Sequence, residues 1–173
     1  MDKPVMIEGY NPDWTKNFEL EMRQLMKIKN GRIISIEHIG STSVNGLCAK
    51  PILDIAVAVH NLEVVDEFIE PLKLLGYEFV HHQEFPERRF FRKGQWGAGT
   101  HHLHFYEIES ESWKNQLLFR DFLRTHPDVL KRYHQLKEEL AEKYRFDRVS
   151  YTEAKVPFIQ DILKQAKEEK VQE

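Results

Sequence analysis

One apolar segment, residues 52–59, limits what this chain can fold into more than any other stretch. It reads Ile-Leu-Asp-Ile-Ala-Val-Ala-Val, and β-branched residues of this kind favour strands. Side chains alternate along a strand, so Asp54 and Ala56 fall on the face opposite Ile55 and Val57. We therefore predict a largely buried strand that carries one carboxylate. A buried carboxylate requires a metal ion or a cationic partner such as arginine.

The remaining pattern predicts both helices and strands. Apolar residues at helical spacing predict a helix that begins at Asn11-Pro12 and a second one capped by Asn61, which Pro71 should kink or split. Further strands are predicted at residues 33–39, 77–80, 88–92 and 102–107, with a glycine-containing loop at residues 93–100.

From residue 112 onward the pattern is helical. It predicts a break near His126-Pro127, a last helix capped by Thr152, and fraying over residues 165–173. This order of elements predicts one α+β domain over residues 1–173, with a mixed β-sheet, flanking helices and a helical C-terminal region.

Composition narrows the classes of partner. The net charge is −3, which does not suggest a nucleic-acid partner or an anionic membrane surface. Cys48 is the single cysteine, so no intramolecular disulfide can form. The first ten residues contain no apolar signal segment, and no apolar run is long enough to cross a membrane. We expect a cytoplasmic protein with no membrane or nucleic-acid partner.

The segment Gly40-Ser41-Thr42-Ser43 directly follows a predicted strand. Glycine lets a backbone N–H approach an anion closely, and the three hydroxyls add neutral donors. The segment is typical of a phosphate-binding loop, although a tight turn with a helix cap has the same composition. A phosphate loop followed by Asp54 on the next strand would place a phosphate beside a metal ligand.

Two histidines are the other candidate ligands. If Leu103 and Phe105 face the core, alternation places His102 and His104 together on the opposite face. Two imidazoles and the Asp54 carboxylate form an acceptable site for zinc, manganese or iron. The alternative is that these histidines make structural hydrogen bonds or face solvent.

A local cluster of arginines precedes the histidines. Arg88, Arg89 and Arg92 can each bind a phosphate through two hydrogen bonds, but Arg88 and Arg89 fall on opposite faces of a regular strand. A solvated strand face, or pairing with Glu84 and Glu87, is the alternative. Farther along the chain, the charged residues from Lys137 to Lys143 are interpreted as a solvated helix face.

Several of these motifs together resemble the GrpB family of the nucleotidyltransferase superfamily. They are Glu37-His38-Ile39-Gly40-Ser41-Thr42-Ser43-Val44, Gly46-Leu47, Ala49-Lys50-Pro51, Asp54-Ile55, Arg88-Arg89, Thr100-His101-His102-Leu103-His104, Phe119-Arg120-Asp121, Leu123-Arg124, Tyr151 and Lys155. The resemblance covers nearly the whole chain and implies a nucleotidyltransferase-like fold. Asn45 departs from the proline expected at its position.

The resemblance implies a Gly-Ser motif that holds a triphosphate and acidic residues that hold two divalent ions. Gly40, Ser41 and Asp54 match, but the second acid of the usual Asp-x-Asp pair is replaced by Ala56, which cannot bind a metal. Lys50 and Lys155 match the family as well, and are candidate phosphate ligands beside Thr42, Ser43 and the arginines.

Three functions follow as hypotheses. The first is a nucleotidyltransferase-like enzyme that uses a nucleoside triphosphate and a divalent metal, Mg, Mn or Zn. The second is a non-catalytic module that binds a nucleotide or another phosphorylated small molecule, with a link to coenzyme A because the resemblance extends to a domain fused to dephospho-coenzyme A kinase. The third is a metal-dependent hydrolase built on Asp54, His102 and His104.

Overall fold

The strand predicted at residues 52–59 forms the second strand of a five-stranded sheet. The structure, a computed structural model, describes residues 3–28, 31–95 and 97–172. Its strands are β1 (Ser35–Ile39), β2 (Leu53–Val59), β3 (Tyr77–Val80), β4 (Arg89–Gln95) and β5 (Ala98–Glu107). Its α-helices are α1 (Asp13–Leu25), α2 (Ile69–Leu74), α3 (Glu111–Thr125), α4 (Pro127–Lys143) and α5 (Arg148–Gln172).

The sheet is mixed, as predicted. Its strand order is β1-β2-β5-β4-β3, and only the β2–β5 pair is parallel. One face of the sheet carries Ile55, Val57, Leu103 and Phe105, each no more than 1% exposed, and packs against α1 and α2. The opposite face carries Asp54 and the two histidines, and α3 covers part of it through Trp113.

The three C-terminal helices pack against the segment that joins β1 to β2. Val44 and Leu47 of that segment are buried among side chains of all three helices, including Phe122, Tyr133 and Ile162. Burial of these apolar groups fixes α4 and α5 beside the Gly40-Ser41 loop, where their polar side chains can reach it.

Two predictions for the helical segment after β2 are confirmed. Asn61 caps the segment, because its side chain accepts a hydrogen bond from the Glu63 N–H. The predicted helix is split into a 3-10 helix at Leu62–Phe68 followed by α2, in which Pro71 lies in the first turn. Proline is tolerated there because the first turn of a helix leaves its N–H groups without intrahelical acceptors.

Three other details differ from prediction. The predicted loop at residues 93–100 is mostly a β-hairpin, with β4 and β5 continuing to Gln95 and from Ala98 and a register shift at Gly94, while Trp96 lies outside the described residues. Thr152 does not cap the last helix, since α5 already begins at Arg148, and the residues predicted to fray are helical as far as Gln172. Glu173 lies outside the described residues. None of the described helices is long and apolar enough to cross a membrane.

Candidate functional site

Gly40 ends β1 in a conformation that only glycine adopts readily. Its φ is 70° and its ψ is −173°. A Cβ atom at this position would lie 2.7 Å from Asp54 Oδ2, inside the contact distance of the two atoms. The absence of a side chain at Gly40 therefore allows the loop to lie directly against the Asp54 carboxylate.

The three hydroxyls after Gly40 have different partners. Thr42 Oγ1 lies 2.9 Å from His38 Nε2, and the Ser43 hydroxyl donates to the Gly40 carbonyl oxygen at 2.5 Å. Thr42 and Ser43 are buried, so both stabilise the loop from within. Ser41 is half-buried and accepts a hydrogen bond from the Lys137 ammonium at 2.6 Å. Ser41 is thus the hydroxyl that faces the cationic side of the site.

Asp54 and the two histidines meet on one face of the sheet, which confirms the predicted geometry. In the parallel pairing of β2 with β5, Asp54 lies beside His102 and Ala56 lies beside His104. Asp54 Oδ1 is 3.4 Å from His102 Nδ1 and 3.1 Å from His104 Nε2. One ligand atom from each residue lies within 4.8 Å of the others. Among the described residues these histidines, rather than an arginine, are the partners of the carboxylate.

The charges of this triad follow from its surroundings. Burial alone would raise the pKa of Asp54, but hydrogen bonds from His102 and His104 outweigh it and hold the pKa below its usual range. Burial lowers the pKa of His104 more than the neighbouring Asp54 raises it. At neutral pH the site therefore holds a carboxylate beside a neutral imidazole, the forms in which both groups bind metals.

Lys137 is not part of a solvated helix face, so that interpretation was wrong. It is 2% exposed, and its ammonium donates to Ser41 Oγ and, at 2.5 Å, to the Cys48 carbonyl oxygen. Burial lowers its pKa to about 7. Lys137 follows Tyr133 by four residues, so it shares the buried stripe of α4 with Tyr133 and Leu140. That spacing was the signal for its burial.

Two more lysines contact the ring of a buried tyrosine, Tyr151. The ammonium groups of Lys50 and Lys155 lie 4.8 and 4.4 Å from the centre of the Tyr151 ring. Burial lowers the pKa of both lysines, that of Lys155 to about 8. Tyr151 is 1% exposed, and its hydroxyl has no hydrogen-bond partner among the described residues. Together with Lys137, these two lysines form what we call the lysine cluster.

The predicted arginines separate in the structure. Arg88 Nη1 lies 3.0 Å from His104 Nδ1, so Arg88 joins the site. Arg89 donates to the carbonyl oxygens of Pro86 and Arg88 and pairs in register with Phe105, on the core side. Arg92 binds Glu78 at 3.0 Å and pairs in register with His102. Arg89 therefore lies on the core face, away from the triad, whereas Arg92 lies on the face that carries His102.

Two arginines of α3 support the loop from behind. The Arg120 guanidinium donates to Glu37 at 2.7 Å and to the His38 carbonyl oxygen at 3.1 Å. Arg124 donates to the Ser43 carbonyl oxygen at 2.7 and 3.1 Å. From the sequence, both arginines are recognised only as parts of a family motif. Their support of the loop could not be predicted, because it depends on how α3 packs against β1.

The mixed sheet, its flanking helices and the loop beside Asp54 form a nucleotidyltransferase fold. Cid1 poly(U) polymerase, in a structure bound to Mg and 3′-dATP, aligns with a TM-score of 0.54 and 14% identity over 79% of this chain and 43% of that one. At this identity the likeness concerns the fold alone.

A family model described as GrpB protein matches residues 4–165, and the chain belongs to the GrpB family. It is 37% identical over 165 residues to UPF0157 protein YqkA of Bacillus subtilis (strain 168), covering 95% of this chain and 48% of that protein. The chain thus spans about half the length of YqkA. The crystal structure of conserved protein GrpB from Enterococcus faecalis aligns with a TM-score of 0.86 and 36% identity over 93% of this chain and 96% of that one.

The family likeness extends to longer proteins. Dephospho-CoA kinase of Mycobacterium tuberculosis (strain CDC 1551 / Oshkosh) is 25% identical over 187 residues, which cover 94% of this chain and 46% of the kinase.

Proposed function

We propose that this chain binds the phosphates of a nucleoside triphosphate between Ser41 and the lysine cluster, beside a divalent ion at Asp54, His102 and His104, and transfers a nucleotidyl group to an acceptor. The observation that carries the proposal is the 2.6 Å hydrogen bond between Lys137 and Ser41. It joins a buried cation to the loop that also contacts Asp54 through Gly40. Donors for an anion and ligands for a cation are thereby adjacent.

Charge supports the anion site. Lys137 contacts Ser41, Lys50 and Lys155 contact the Tyr151 ring, and burial lowers the pKa of each lysine, so the protein alone disfavours their charged forms. A polyphosphate would stabilise those charges, and the Tyr151 hydroxyl, which has no partner among the described residues, is a further donor. A neutral or cationic ligand would not stabilise the charged lysines.

The donor set of the triad fits a divalent ion. Two imidazole nitrogens and one carboxylate suit Mn²⁺ or Zn²⁺ better than Mg²⁺, which prefers oxygen ligands. An ion held there would neutralise negative charge on the transferring phosphoryl group. Asp54 and the histidines would orient that group, while Ser41 and Lys137 hold the phosphates farther from the acceptor.

The second candidate is binding without transfer, and Ala56 favours it. Ala56 is fully buried, lies between Glu37 of β1 and His104 of β5, and offers no ligand for a second ion. The carboxylate of Glu37, which is opposite Ala56 in the register, is bound by Arg120. A site of this kind can bind phosphates although it lacks the second metal ion that two-metal nucleotidyl transfer requires.

Thermal shift with nucleoside triphosphates, inorganic triphosphate and coenzyme A precursors, each with Mn²⁺, Zn²⁺ or Mg²⁺, tests binding first. The coenzyme A precursors are included because of the likeness to dephospho-CoA kinase. Calorimetry then compares wild type with Ser41→Ala, Lys137→Met and the control Lys143→Met, which removes an exposed lysine of the same helix. Ser41→Ala should cost about 0.5–1.5 kcal/mol of binding, or up to about 3 if the hydroxyl bonds to a charged oxygen.

Products then separate the candidate activities. Release of pyrophosphate, with nucleotide attached to an acceptor, supports transfer, whereas binding without turnover supports the second candidate. Release of phosphate without transfer would instead support the metal-dependent hydrolase. Equal affinities of wild type, Ser41→Ala and Lys137→Met would exclude the phosphate site altogether.

A further inference from the structure

Arg88 contacts His104 from the side opposite Asp54. Its Nη1 lies 3.0 Å from His104 Nδ1, and its Nη2 lies 3.3 Å from His82 Nδ1. A guanidinium has N–H donors and no acceptor. Both Nδ1 atoms must therefore accept, since two facing donors at these distances would repel each other.

This contact decides which nitrogen of His104 carries the proton. With Nδ1 accepting from Arg88, the proton of the neutral ring lies on Nε2, which faces Asp54 Oδ1 at 3.1 Å. A ring nitrogen that carries a proton has no lone pair for a metal ion. In this arrangement His104 therefore satisfies Asp54 by donation, and Nε2 cannot serve as a ligand.

Arg88 has donors to spare for another acceptor. Its Nε is buried and has no hydrogen-bond partner among the described residues. The guanidinium also packs on the rings of Phe85 and Phe90, at 4.7 and 5.3 Å. Arg88 is half-buried and directly follows the exposed residues 83–87, and its guanidinium has the planar geometry that binds phosphate through two hydrogen bonds.

We propose that Arg88 couples phosphate binding to metal binding: a phosphate draws the guanidinium away from His104, and His104 then offers Nε2 to the ion. The net charge of the ring does not change, because Nε2 gives its proton to water and Nδ1 takes one from water. The proposal rests on the proposed function, since it takes the same triad and the same class of anion. It adds that the metal site is closed until an anion arrives.

The first measurement is calorimetric titration of the full chain with Mn²⁺ alone. Wild type is compared with Arg88→Met and with Arg89→Met, which removes the same charge one residue away from a guanidinium that bonds to backbone oxygens. We expect Arg88→Met to bind Mn²⁺ about tenfold or more tightly than wild type, because partners of a metal-ligating histidine alter affinity on that scale. Arg89→Met should bind like wild type.

The second measurement uses wild type alone, so it does not depend on a variant that folds. Long-range ¹H–¹⁵N correlation spectra of the metal-free chain should place the His104 proton on Nε2. Inorganic phosphate should raise the Mn²⁺ affinity of wild type and leave that of Arg88→Met unchanged.

The outcomes separate this proposal from the proposed function. Equal Mn²⁺ affinity in wild type and Arg88→Met, or a His104 proton on Nδ1, would overturn the coupling while the metal site stands. An effect of Arg89→Met as large as that of Arg88→Met would reduce the result to charge alone and would also overturn it. Failure of all three proteins to bind Mn²⁺ would overturn the metal site and the coupling together.

Discussion

Gly40 and Asp54 are in direct contact, and a Cβ on Gly40 would lie 2.7 Å from the Asp54 carboxylate oxygen Oδ2. The sequence suggests glycine here for the close approach of a phosphate. The structure adds a second reason, because the loop and the carboxylate occupy adjoining space. A substitution at Gly40 must therefore disturb folding as well as binding, which the sequence alone does not indicate.

We expect Gly40→Ala to lower the free energy of unfolding by about 1–3 kcal/mol, since its backbone conformation is accessible essentially to glycine alone. The clash with Asp54 adds to this cost. Chemical denaturation measures the change. Gly31→Ala is the matched control, because Gly31 also has a positive φ, 69°, but no atom within 4 Å of an added Cβ. Equal losses in the two variants would mean that the contact with Asp54 contributes nothing.

Inorganic triphosphate should bind with uptake of protons at about pH 8. Burial lowers the pKa of Lys137 to about 7 and that of Lys155 to about 8, so both are partly neutral before an anion binds. A bound anion raises both values and draws protons onto the lysines. Calorimetry in two buffers with different ionisation enthalpies measures the uptake. It should fall in Lys137→Met, stay unchanged in Lys143→Met, and be absent from all proteins if the lysines do not contact the anion.

Asp54→Asn should remove an acid-sensitive part of the stability. Although burial alone would raise the pKa of Asp54, the histidine hydrogen bonds hold it below the unfolded value of about 4. The carboxylate therefore stabilises the folded chain above that pH, and the contribution is lost as the pH falls through the folded value. Denaturation at several pH values should show a gap between wild type and variant that narrows below about pH 4. A gap that does not change with pH would contradict the assigned role of the histidines.

Arg120→Met should destabilise the chain although Arg120 touches none of the proposed ligands. Arg120 is 9% exposed and binds Glu37, Asp121 and the His38 carbonyl oxygen, so the variant leaves the partly buried Glu37 carboxylate and the buried His38 carbonyl without this donor. We expect a loss of about 1–3 kcal/mol in denaturation. Lys114→Met, which breaks only an exposed pair with Glu109, should change little. Comparable losses would argue that Arg120 does not hold the loop.

Alternation along a strand is strict and local, and this explains which parts of the site the sequence predicted. Ile55 and Leu103 mark the core faces of their strands, so Asp54 and His104 could be assigned to the other face from residue order alone. The assignment of residues 93–100 to a loop was wrong, because the glycines there occupy a hairpin. Pairing between β4 and β5 extends both strands into a segment whose composition is typical of a turn.

Lys137 shows where residue type misled the interpretation. Its spacing from Tyr133 placed it on the buried stripe of α4, but lysine is rarely buried and was assigned to solvent. Its burial is possible because Ser41 and the Cys48 carbonyl oxygen supply acceptors. Those acceptors come from a distant part of the chain, and no local pattern can reveal them.

The hydrogen bond between Ser41 and Lys137 joins residues 96 positions apart. The contact between them is therefore absent from any partly folded chain in which the sheet has formed but the C-terminal helices have not docked. Closing so large a loop is slow and entropically costly, so this contact should be among the last to form during folding. An anion that binds Ser41 and Lys137 together would then act on the late step, slowing undocking of the helices more than it speeds formation of the sheet.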